Sequence, residues 1–310
     1  IVCAAVAVLL LAPFIGTAAA AGTSGAIRLP FRDLSPAAIT REMGLGWNLG
    51  NTMDGHSGFM PSETAWQSAV TTGELIDAVH DAGFNTVRIP VTWGLKIDEE
   101  NNDTIDPAWL NRVREIAGYC LRQDMYVILN IHHDGAEQTG WLRVAAEGED
   151  LERVKEKFAR VWEQIATAFS GCDEHVIFES MNEVKGDDDT QAGVLRDFQV
   201  INELNQIFVD TVRSTGGNNT RRWLLVPGRY TNITNTTKED NGFTLPEDAW
   251  NDENRLMVSV HDYDYSFGLL ETMGITNWSE DSAAKMAANF QRLIDSFTSK
   301  GVPVVLGEYG

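Results

Sequence analysis

Seven times along this chain a short run of apolar and β-branched residues alternates with a stretch of helical spacing. The runs fall at residues 44–51, 84–90, 125–131, 176–183, 223–228, 256–261 and 302–308. Helical patterns begin at Ser35-Pro36 and cover about 72–81, 107–123, 150–169, 191–214 and 281–299, with Gly83 a stop after the second. Runs so rich in Val, Ile and Leu suit strands buried on both faces, and parallel strands need crossover helices between them. The expected fold is therefore α/β, a (β/α)8 TIM barrel. An eighth strand and its helix are not found before Gly310, so the chain is expected to be truncated at its carboxyl end. A length of 310 residues suits one such catalytic domain, here residues 23–310.

Residues 1–22 read differently. Val2 to Ile15 is apolar but too short to span a bilayer, and small residues of the cleavage-site type follow from Thr17 to Gly22. We read an export signal that lacks its true start, and expect a secreted, extracellular protein with no membrane attachment in its mature form. The formal net charge of -21 argues against nucleic acid and anionic membranes as partners. It is compatible with a neutral polymer and with a monomer. Cys120 and Cys172 could pair in an exported protein or remain buried thiols; neither lies in a metal or nucleophile motif.

In a parallel barrel the carboxyl ends of the strands carry the chemistry. Two of the runs end in glutamate: Glu183 closes the fourth and Glu308 the seventh. Strands four and seven face one another across such a barrel, so the two carboxyl groups can meet in one cleft. Paired carboxyl groups suggest cleavage of a glycosidic bond. One protonates the leaving oxygen and the other attacks the anomeric carbon, at a separation of roughly 5–5.5 Å in a retaining enzyme. Arg88 and Tyr263, at the ends of strands two and six, can stabilise the ionised partner. His132, Asn182 and His261 join them at other strand ends. His132, His133 and Asp134 include metal-ligand types, but neighbours on one strand point to opposite faces, so no metal is expected. Trp47, Trp66, Trp93 and Trp141 are candidates for stacking on sugar rings, with Trp93 the foremost because it ends a strand.

At these residues the chain resembles glycoside hydrolase family 5. The matching stretches are Gly46-Trp47-Asn48-Leu49-Gly50-Asn51-Thr52, the run from Phe84 through Arg88 to Trp93, Ile131-His132-His133, Met181-Asn182-Glu183, His261-Asp262-Tyr263 and Gly307-Glu308-Tyr309-Gly310. The resemblance implies a retaining endo-β-1,4-glucanase without a cofactor, acting on cellulose or related β-glucans. Xyloglucan, xylan or mannan on the same barrel is the alternative, as is a fragment that binds carbohydrate without cutting it. It makes Glu183 the acid/base and Glu308 the nucleophile, with Arg88 and Tyr263 tuning Glu308. Asn182, His132, His133, His261, Asn51 and Trp93 would support substrate. The chain departs from the family pattern at Val184, where proline is usual, at Gln67-Ser68-Ala69, and in lacking a sugar-stacking tryptophan at an eighth strand.

Overall fold

The computed structural model describes residues 30–135, 140–251, 255–263 and 278–309. The expected export signal thus lies outside the described residues. Seven parallel strands form one sheet in chain order: β1 (Gly46–Asn48), β2 (Thr86–Ile89), β3 (Tyr126–Asn130), β4 (Val176–Glu179), β5 (Leu224–Asn232), β6 (Leu256–Asp262) and β7 (Val304–Tyr309). The sheet curls until its first and last strands meet, where the Asn48 Nδ2 donates to the Gly307 carbonyl at 2.8 Å. All seven expected strands are present, and the architecture is that of the (β/α)8 barrel.

The helices follow from local sequence. Ser35 caps α1 (Pro36–Met43), its hydroxyl accepting from the Ala38 N–H, and Pro36 sits where no donor is needed. Thr72 caps α2 (Gly73–Asp81), and Gly83, at φ +95°, turns the chain away. Asp106 and Pro107 open α3 (Pro107–Leu121). The long α4 (Gly148–Phe169) and α5 (Gln191–Ser214) pack side by side on the sheet. The five-residue α6 (Ile233–Thr237) and α7 (Glu280–Ser296) complete the layer among the described residues. Two tiny hairpins, His56–Ser57 with Met60–Pro61 and Ile97–Asp98 with Thr104–Ile105, were not apparent from the sequence. A two-residue strand is too short to show a period of two.

The period of two along the barrel strands sorts side chains into two sets. Val87, Ile89, Val127, Leu129, Val176, Phe178, Leu224 and Val226 face outward and pack with the helices in the main core, where Trp162 meets Phe178 and Phe208. The alternate residues Tyr126, Ile128, Ile177, Leu225 and Met257 form a separate apolar cluster inside the barrel. Ile39 and Met43 of α1 belong to that inner cluster, so α1 plugs the amino-terminal mouth. Two residues further along the strands, the inward layer turns polar. Thr86 is followed by Arg88, Ile128 by Asn130, Ile177 by Glu179 and Met257 by Ser259.

Behind α5 the fold holds a fully buried ion pair. Arg213 donates through Nε and Nη2 to Asp248 at 3.1 and 2.8 Å, and through Nη1 to the carbonyls of Asn219 and Arg222 at 2.7 and 2.8 Å. Asp248→Ala leaves that guanidinium buried without its counter-charge. A loss of about 3–5 kcal/mol in unfolding free energy is expected, read as a lower urea midpoint. A midpoint equal to wild type would show that the pair contributes nothing. The acidic loop 187–189 is likewise tied down by protein groups. Asp188 accepts from the Thr190 N–H, and Asp189 accepts from Arg229 at 2.7 Å. Cys120 and Cys172 are not bridged to each other, and burial pushes the Cys120 thiol up to about 12.

Candidate active site

Arg88 is the hub of the polar layer. The alternation that sends Val87 and Ile89 into the outer core sends Arg88 inward, where it is 3% exposed. Its Nε donates to Glu179 Oε2 at 2.7 Å, its Nη1 to Glu308 Oε1 at 2.6 Å and to Asn48 Oδ1 at 3.1 Å, and its Nη2 to Asn182 Oδ1 at 2.8 Å. A guanidinium out of water requires such partners, since an unpaired buried charge is expensive. One side chain from β2 thus joins the ends of β1, β4 and β7.

Glu308 and Glu183 converge as expected, although Glu183 lies in the loop beyond β4, which ends at Glu179, rather than on the strand itself. One oxygen of each, together with a ring nitrogen of His261, lie within 4.8 Å of one another. Glu308 accepts from Arg88 on one oxygen and from the Tyr263 hydroxyl on the other, each at 2.6 Å. Burial pushes its carboxyl up, but His261, Arg88 and Tyr263 outweigh burial and hold it below the usual glutamate range. Burial and the Glu308 charge push the Tyr263 hydroxyl up, so it remains a donor. Glu183 follows β4, is about a quarter exposed, and lies 2.6 Å from the Nδ1 of His261. The other nitrogen of His261 is 3.7 Å from Glu308 and finds no hydrogen-bond partner among the described residues. Gly307 makes room for that ring, because a Cβ there would stand 3.1 Å from His261 Nε2.

His132 and His133 correct the sequence reading. They are not neighbours on a strand, since β3 ends at Asn130 and His133 opens a 3-10 turn; their rings meet edge to face at 4.4 Å. His132 is buried, and burial, followed by the charge of Arg88, holds its imidazole well below the usual range and neutral. Its Nδ1 lies 3.1 Å from Asn130 Nδ2. The Asn130 amide has one orientation, because its Oδ1 accepts from Val91 N at 3.2 Å and its Nδ2 donates to Glu179 at 2.9 Å. His132 must therefore accept at Nδ1 and carry its proton on Nε2. That proton weakens the case for a metal held by Asp54, His132 and His133, although these donors do cluster. A cation shared by Glu183, His261 and Glu308 would face the charge of Arg88 across a single carboxylate.

The remaining candidates divide. Asn182 accepts from Arg88 and is fixed by its backbone to Ile131 and Thr231. Asn51 is exposed at the cleft's edge with φ 61°, held through its N–H by Asp54, and does not touch the glutamate pair. His133 meets Trp66 at a tilt, with ring centres 5.2 Å apart, and His56 edge to face at 5.6 Å, and Trp66 is 44% exposed. Trp93, the foremost stacking candidate, is core instead: it is fully buried, with its indole N–H on the Asn130 carbonyl at 3.1 Å. A strand-end tryptophan looks the same in sequence whether it faces the cleft or the core. Trp141 is half-buried against Asp134, with Lys157 over its ring. Val184 is buried, and Gly135 is required opposite it, since a Cβ there would fall 2.3 Å from Val184 Cγ1.

Sequence reasoning missed Glu179, Asn130, Ser259 and Asn48. The signal was available: polar residues in otherwise apolar strands, at matching inward positions on three of them.

A carboxylate held ionised faces a second, partly exposed carboxyl group beside an imidazole. That arrangement suits acid-assisted displacement at carbon. Residues 50–310 match the family model for cellulase (glycosyl hydrolase family 5). Endoglucanase A of Paenibacillus barcinonensis is 40% identical over 96% of this chain and 78% of its own length. A family 5 xyloglucanase from Paenibacillus pabuli, solved in complex with ligand, is 41% identical, with a TM-score of 0.80 over 88% of this chain and 80% of that one. A GH5-4 broad specificity endoglucanase from Ruminococcus champanellensis with bound cellotriose is 39% identical, with a TM-score of 0.81 over 91% of this chain and 82% of that one. The chain spans 78% of the length of the Paenibacillus barcinonensis endoglucanase but 33% of another curated relative, a cellulase/esterase of Acetivibrio thermocellus.

Proposed function

The chain belongs to the cellulases of glycosyl hydrolase family 5, and from that footing we propose that it is a retaining endo-β-1,4-glucanase. The observation that carries the proposal is the glutamate pair, with oxygens within 4.8 Å. A retaining pair stands roughly 5–5.5 Å apart, whereas an inverting pair needs about 6.5–9.5 Å to admit water. In the first step Glu308 attacks the anomeric carbon while Glu183 gives its proton to the leaving oxygen. In the second, Glu183 takes a proton from water, which displaces the sugar from Glu308. Arg88 and Tyr263 keep Glu308 ionised and aimed. Asn182, its Oδ1 taken by Arg88, has Nδ2 left to donate to a sugar hydroxyl, and His132 offers Nε2–H. Trp66 with His133, and Asn51 beside them, form the edge over which a glucan chain passes. No step calls on a cofactor.

The test is early product configuration by proton NMR, with reducing-sugar release from β-glucan, carboxymethylcellulose, xyloglucan, xylan and mannan. Initial release of the β-anomer from β-glucans is expected, and initial α-anomer would overturn retention. The likeness to a xyloglucanase favours one second reading, xyloglucan as the preferred polymer; it predicts the fastest release from that member of the panel. Export is proposed from the apolar run and small residues of 1–22. Among the described residues no helix is long and apolar enough to cross a membrane.

The pH profile carries a further expectation. Glu308 must be ionised to attack, and its lowered pKa places the acid limb of kcat/KM at low pH. Tyr263→Phe removes a donor to the ionised form, so the carboxyl pKa rises and the acid limb moves to higher pH. Arg88 remains, so the limb shifts without vanishing. A limb that stays in place, or moves down, would show that Tyr263 does not stabilise the carboxylate.

A further inference from the structure

The most deeply buried carboxylate of the site takes no part in the steps above. Glu179 is 0% exposed, on the last residue of β4. Three donors converge on it: Arg88 Nε at 2.7 Å and Asn130 Nδ2 at 2.9 Å to Oε2, and Ser259 Oγ at 2.5 Å to Oε1. They come from β2, β3 and β6, so Glu179 ties three strands together at one level. We infer that Glu179 is a positioning residue that fixes the plane of the Arg88 guanidinium against Glu308 and, through Asn130, the tautomer of His132. The inference rests on Glu308 being the nucleophile.

A guanidinium is planar, so anchoring its Nε fixes where both Nη atoms point. With Nε on Glu179, Nη1 reaches Glu308 and Asn48 while Nη2 reaches Asn182. Without that anchor the plane can turn, and the whole cation falls to Glu308. An unshared cation would hold the attacking oxygen more tightly and blunt it as a nucleophile. On the other arm, Asn130 gives one amide group to both Glu179 and His132. An amide turned over would present Oδ1 to His132, move the imidazole proton to Nδ1 and leave Nε2 without its hydrogen. Both arms act through other residues, for Glu179 lies below the cleft and is sealed from substrate.

A reagent that isolates nucleophilic attack tests this. A dinitrophenyl 2-deoxy-2-fluoro-β-cellobioside needs no acid to expel its leaving group and traps the nucleophile as a stable ester. Peptide mapping of the wild type should find the label on Glu308; a label elsewhere overturns the nucleophile assignment itself. With that established, Glu179→Gln should lower the saturating trapping rate about 100-fold, the scale of a misplacement near 1 Å. The half-saturating concentration should be unchanged. The rate constant is counted per folded molecule, so a purely structural role leaves it at the wild-type value, and that result would overturn the inference. If Glu179→Gln does not fold, Glu179→Asp, whose shorter arm withdraws the anchor from Arg88, is judged by the same two outcomes.

Discussion

Glu308→Gln is expected to abolish hydrolysis, with kcat/KM on every β-glucan falling roughly 10⁵-fold, the scale seen when a covalent nucleophile is removed. The amide keeps the size and shape of the side chain but cannot form the glycosyl ester. It also loses the charge that both Arg88 and Tyr263 address at 2.6 Å. Arg88 keeps Glu179 as its counter-charge, so the barrel should remain folded. Oligosaccharide binding should therefore survive the loss of turnover, and calorimetry on the variant measures it. Hydrolysis near the wild-type rate would remove Glu308 from the chemistry altogether.

Glu183→Gln should divide substrates by leaving group. The variant cannot protonate a departing sugar oxygen, so polysaccharide turnover should fall roughly a thousandfold, within the range of general acid catalysis. An aryl cellobioside with an acidic phenol leaves without help. Its first step should proceed near the wild-type rate and the second should slow, because Glu183 no longer activates water. A burst of phenol followed by a slow steady rate is the expected trace, and azide should speed the second phase by replacing water. Equal losses on both substrates would mean that Glu183 does not act as the acid. His261 stays in place beside the new amide, which can use its Nδ1 as an acceptor.

The large periodic elements were legible because each satisfies one rule over many residues. Each barrel strand lies on its apolar run, although β4 stops at Glu179, short of Glu183, and β5 runs on to Asn232. The helices α1, α2, α3, α4, α5 and α7 stand where the spacing put them, and Ser35, Thr72 and Pro107 mark the starts of the first three as read. The convergence of Glu183 and Glu308 followed from the rule that chemistry gathers at the carboxyl side of the strands, although Glu183 stands in the loop after β4 and Glu179 holds the strand's last position. Two of the failures share a cause. Trp93 and Glu179 have chemical natures that suit two environments, and only the direction of the side chain decides between them. Trp93 went to the core and Glu179 to the interior of the barrel. His132 and His133 were misplaced because β3 stops one residue earlier than its apolar run suggests. The two small hairpins are made of residues that could equally be loop.

The plug of α1 under an apolar inner cluster, with the ionic hub above it, gives the barrel a dry floor and a wet ceiling. Mutational tolerance should follow that vertical divide. Exchanges among Ile128, Ile177, Leu225 and Met257 alter how firmly the molecule stands without reaching the cutting groups, while the rim can be remodelled toward new polymers. A lineage built this way can diversify its diet and its heat resistance independently.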